Sequence, residues 1–165
     1  MSYPPKSYKI RPLFLVQFHS IYEVLNNNKS YLVEYYLDKE IGKNERIHLS
    51  RFGFNDLFID MINQFEKALQ KYEYDDLTLK IRMNEKTRKL SKMYNNTPST
   101  PSNLTACQFR ISNDIILQVR SLKRETLGEI VEQSISHYLT LLNDIEFELV
   151  NEVFKRFLNS GKLFI

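Results

Sequence analysis

The chain has 165 residues, 42% apolar and 26% charged, with a formal net charge of +3. That length leaves room for one domain or two very small ones, and the apolar share excludes a wholly disordered chain. A single cysteine, Cys107, excludes an intramolecular disulfide, and no run approaches the roughly 18 apolar residues of a membrane span.

Residues 1–7 read as a loose leader with no apolar signal segment, so an intracellular location, cytoplasm or nucleus, is expected. Lys9 to His19 reads as a strand, with Ile10, Phe14, Val16 and Phe18 on one face. Pro12 cannot donate to a ladder, which places this strand at a sheet edge. The Asn26-Asn27-Asn28-Lys29 run is a turn, Tyr31 to Asp38 a second strand, and Glu45 to Ser50 a third.

Phe54 to Tyr72 carries the clearest pattern. Phe54, Leu57, Met61, Phe65, Leu69 and Tyr72 are among the residues that fall on one helical stripe, which predicts a helix lying on the preceding sheet. Leu77 to Asn84 alternates between apolar and polar residues and predicts a half-buried strand. Residues 85–104 lose periodicity and contain Asn95-Asn96-Thr97-Pro98-Ser99-Thr100-Pro101-Ser102, the composition of a flexible linker.

Ala106 to Ser112 alternates again, Asp114 to Lys123 reads as a short helix, and a second helix begins near Thr126, with Glu129 positioned to complete a capping box. Val131, Ile135, Tyr138, Leu142, Ile145 and Leu149 repeat at heptad-like spacing and predict an interface with a helix of the same chain or of another copy. Asn143-Asp144 is a candidate break, and Asn159-Ser160-Gly161 a candidate stop. The expected fold is α+β: an antiparallel sheet with a covering helix (1–84), a flexible linker (85–104), and a C-terminal strand-helix-helix unit (105–165).

Motifs for chemistry are scarce. His19, His48 and His137 stand apart from one another and from Cys107, and glycines 42, 53, 128 and 161 make no phosphate-binding loop. The acidic pairs Asp75-Asp76 and Asp38/Glu40 lie where solvated turns are expected. The expectation is a non-enzymatic protein with no cofactor and no metal.

Charge distribution says more. Residues 1–124 hold 20 Lys+Arg against 13 Asp+Glu, whereas residues 125–165 hold 3 against 7. The polar strand faces would present Lys9 and Arg11, then Arg46 and His48, then Lys80 and Arg82, with Arg88 and Lys89 extending the charge into the linker. Such groups neutralise phosphates, and Tyr36 would add a stacking surface. The plainer reading is that Lys and Arg are ordinary solvent-facing strand residues, and Glu34 and Asp38 interrupt the platform.

Two local resemblances point the same way. Tyr31-Leu32-Val33-Glu34-Tyr35-Tyr36, the Gly42-Lys43-Asn44 turn, Ile47-His48-Leu49-Ser50 and the helix from Phe54 resemble the positive-cofactor-four family of transcriptional coactivators. That resemblance implies a dimer binding single-stranded DNA on a curved sheet. Gln108-Phe109-Arg110-Ile111-Ser112 and the following helices, residues 106–142, are similar to an Arc-type ribbon-helix-helix unit. The similarity implies base reading by Gln108, Arg110 and Ser112. The expected function is nucleic-acid binding, DNA rather than RNA, by a homodimer or a subunit of a complex with no membrane contact. The alternative is a protein-interaction subunit that touches no nucleic acid.

Overall fold

The computed structural model describes residues 6–26, 54–97, 105–109 and 127–160. Among these residues there are six helices and one pair of short strands: β1 (Lys6–Ile10), α1 (Pro12–Asn26), α2 (Phe54–Leu69), α3 (Tyr74–Met83), α4 (Glu85–Asn95), β2 (Thr105–Phe109), α5 (Leu127–Leu141) and α6 (Asp144–Ser160). The described residues are therefore mainly helical, which overturns the expected α+β fold of a sheet covered by one helix. The strands expected at 31–38 and 45–50, and the helix at 114–123, lie outside the described residues.

Three corrections have local causes. The strand expected from Lys9 to His19 stops at Ile10, and Pro12 opens α1. Proline suits a first helical position, where its fixed φ is already helical and its missing N–H has no intrahelical partner. The following Leu-Phe-Leu-Val run is apolar on both strand faces because α1 is buried nearly all round, from Phe14 to Leu25. The strand expected at 77–84 is helix α3. Its alternation misleads because residues four apart share a face in a strand and in a helix alike. Only Leu77 and Ile81 are buried, while Leu79 and Met83 are exposed. Asp75 and Asp76 in its first turn and Lys80 and Arg82 in its last complement the helix dipole. Finally, the first half of the expected linker is helix α4, whose Thr87, Leu90 and Tyr94 are buried at helical spacing.

Within the stripe of α2, Leu57, Phe58, Met61, Ile62 and Phe65 are buried, but the helix ends at Leu69, leaves Tyr72 40% exposed, and packs on α5 rather than on a sheet. β1 and β2 pair antiparallel, with Tyr8 opposite Cys107.

At the centre lies α5, which contacts β1, α1, α2, α3 and α4. It serves this role because it is apolar or small on most sides: Ile130, Val131, Ser134, Ile135, Ser136 and Leu139 are buried. Its first turn sits so close to β1 that a Cβ on Gly128 would meet the Lys9 carbonyl oxygen at 2.2 Å. α1 lies against α6. One hydrophobic cluster runs from Ile10 to Leu158, so elements before and after residues 98–104 share a core.

Candidate nucleic-acid interface

α3 and α4 meet in a tight corner at Asn84, which ends one helix and begins the next. Its side chain accepts from the Lys86 N–H at 2.9 Å, capping α4. Thr87, buried one turn later, donates its hydroxyl to the carbonyls of Ile81 and Asn84, the latter at 2.9 Å. Lys86 extends its ammonium to the carbonyl of Leu142 near the end of α5. The corner is thereby tied to its own joint and to the central helix.

Helical geometry gathers the cations. With Thr87, Leu90 and Tyr94 turned inward, Arg88, Lys89 and Lys92 lie on the outer face of α4, all exposed. Residues 80–92 hold six Lys and Arg against Glu85 alone, a local net of +5. Arg82, Arg88, Lys89 and Lys92 make no ion pair with any described carboxylate. Like charges spaced as Arg88 and Lys92 are cost a helix ~0.2–0.5 kcal/mol. Such an arrangement is stabilised when an anion bridges it.

Between this corner and helices α1 and α5 runs a groove of about 1200 Å³. Its rim carries Arg82, Arg88, Lys89 and Lys92, and its lining reaches Gln17, Ser136 and Thr87. Those three are only 1%, 3% and 6% exposed, so the buried part of the groove carries polar groups beside the apolar Phe14 and Ile81. There the Ser136 hydroxyl donates to Gln17 Oε1 at 3.1 Å.

Arg11 also lines the groove. Its backbone N–H donates to Glu132 Oε2 at 2.7 Å, and its Nη2 to Oε1 at 3.0 Å. The Arg11 guanidinium lies over the Phe14 ring, 4.7 Å from its centroid. Its charge is thus matched by a buried carboxylate, while its side chain remains 56% exposed.

The expected site residues divide accordingly. Arg11, Arg82, Arg88 and Lys89 come together at the groove. Lys80 does not border it; its ammonium sits over the exposed Tyr72 ring at 4.4 Å. Lys9 is exposed on β1, and Gln108 lies in β2 opposite Ser7. Tyr36, Arg46, His48 and Arg110 are outside the described residues. Since α1 and α3 replace two of the expected strands, no basic sheet face links Arg11 to Lys80 and Arg82.

The expected interface stripe is turned inward. Val131, Ile135, Leu142 and Leu149 are buried in the core, and Ile145 packs against it. Tyr138 donates to Asp60 of α2 at 2.8 Å. Burial first, then that hydrogen bond and the nearby carboxylate charges, raise the Tyr138 hydroxyl above the usual tyrosine range.

Sequence reasoning did not place Gln17, Thr87 or Ser136 in a site. The available signals were a lone glutamine inside an apolar run and the Lys-x-Arg-Lys-x-x-Lys spacing of one helical face. No group of three metal-ligating side chains gathers among the described residues, and no described helix is long and apolar enough to cross a membrane.

Comparison of the chain with protein-family models, with curated proteins and with solved structures finds no match. The two resemblances therefore stand on the residues that carry them. For the ribbon-like segment, the strand containing Gln108 pairs with β1 of its own chain.

Proposed function

We propose that this chain is a non-enzymatic nucleic-acid-binding protein that holds phosphates along the α3–α4 corner. The supporting observation is the local net of +5 over residues 80–92, with Arg88, Lys89 and Lys92 exposed on one helix face beside an open groove. Phosphates need several cations held at fixed spacing, and a helix supplies it. DNA is the favoured partner over RNA, bound by a homodimer or within a larger complex.

Fluorescence anisotropy with labelled oligonucleotides tests this reading. Affinity should fall steeply as salt rises from 50 to 200 mM, by ~10-fold or more for a few phosphate contacts. The pair Arg88→Glu with Lys92→Glu should weaken binding at least as much and flatten the salt slope. Binding unchanged by both substitutions would sink the proposal.

A second reading, a protein-interaction subunit, is favoured by Leu79 and Met83, which lie one turn apart on α3 and are 53% and 60% exposed. An apolar contact there would tolerate salt, and Leu79→Asp would abolish it.

A further inference from the structure

A uniformly basic surface would satisfy phosphates with donors alone, yet the groove is built in two levels. Its rim is exposed and mostly cationic, with Glu85 as the one described acid on it. Its bottom is buried and neutral, and contains both kinds of hydrogen-bonding group. Gln17 Oε1 is taken by the Ser136 hydroxyl at 3.1 Å, so the Gln17 amide keeps its N–H donors, while the serine oxygen keeps lone pairs to accept. Donor and acceptor side by side match the edge of a base, whereas a phosphate oxygen needs only the donor.

Arg11, which also lines the groove, adds a flat surface. Glu132 holds the guanidinium through Nε and Nη2, and Phe14 supports one face at 4.7 Å. The Arg11 side chain is still 56% exposed. Unpaired bases stack on aromatic rings and on guanidinium planes, and their hydrogen-bonding edges are free only when they leave a duplex. Because Glu132 already neutralises Arg11, this residue is better suited to stacking than to phosphate binding. The groove volume, about 1200 Å³, exceeds the ~300–1,000 Å³ of small-ligand sites and leaves room for flanking sugar and phosphate.

We infer that the groove receives an unpaired base of a single-stranded nucleic acid, stacked on Arg11 and hydrogen-bonded by Gln17 and Ser136, with the flanking phosphates on the α4 rim. This rests on the nucleic-acid reading above and deepens it. Gln17, Ser136 and Arg11 are then specificity-determining residues, whereas Arg88 and Lys92 supply affinity common to all sequences.

The test compares labelled 12-nucleotide dT, dA and rU strands with a fully paired hairpin, using the full chain at two salt concentrations. Single strands should bind at least 10-fold tighter than the hairpin. Arg11→Lys keeps the charge but removes the plane, and should cut single-strand affinity several-fold with the salt slope unchanged. Ser136→Ala should shrink the preference among the three strands. Gln17→Met should do the same, and a melting curve verifies that this buried variant folds. Equal affinity for single strand and hairpin would overturn the inference while leaving phosphate binding intact. No binding to any oligonucleotide, or binding only to anionic lipid vesicles, would overturn both.

Discussion

The Glu132 side chain, only 4% exposed, accepts from a backbone N–H and from the Arg11 guanidinium. Removing the carboxylate strands the Arg11 amide without its acceptor. Glu132→Ala should lower unfolding free energy by ~1–3 kcal/mol, read from urea denaturation. The histidines, His137 buried and His19 half-buried, make a different prediction. Burial pushes His19 down to about 4 and lowers His137 as well. The unfolded chain takes up protons near pH 6.5, where the folded chain still refuses them, so the unfolded state binds more protons. Stability is therefore full above about pH 7 and declines as pH falls from 6.5 towards 4. Urea midpoints should drop between pH 7 and pH 5, and His19→Gln should flatten that profile.

At the scale of elements, joints decide the fold. Asn143 and Glu146 cap α6 reciprocally: the Glu146 N–H donates to Asn143 Oδ1 at 2.8 Å, and the Asn143 N–H to Glu146 Oε1 at 2.9 Å. Asn143→Ala should cost ~1 kcal/mol, visible as a lower melting temperature. Gly128→Ala should cost ~1–3 kcal/mol, because the methyl group would drive α5 off the Lys9 carbonyl. These joints also explain what could be read in advance. α2 was legible because five buried residues, from Leu57 to Phe65, repeat at helical spacing over more than two turns. The break at Asn143-Asp144 was legible from turn-prone residues. α3 was not, since its two buried residues fit either period, and the deciding signal was the order of its charges. α1 was not, because a helix buried nearly all round has no polar face to reveal its period. The cations of the site were visible as residue types. Their common face was not, because it depends on 85–95 being helix rather than linker.

For the whole molecule, the connections are long. β1 pairs with β2, about a hundred residues later, and α1 packs against α6, near the other end of the described chain. Neither contact can be made locally, and the chain must close these large loops before its core is complete. A chain lacking residues 144–160 should therefore lose the whole cooperative transition, not one helix. Calorimetry should show no unfolding peak for it.

The docking of α1 on α6 also sets a timetable for synthesis. α1 leaves the ribosome carrying Phe14, Leu15, Val16, Phe18 and Ile21, all of which end up in the core. α5 reaches it from Leu127, and α6, its main cover, begins only at Asp144. At ~5–20 residues per second, the newborn chain exposes this segment for on the order of 10 s before its cover exists. During that interval this helix, the most apolar of those described, is the natural hold for a chaperone, and slowing translation beyond Asn26 would lengthen the dependence.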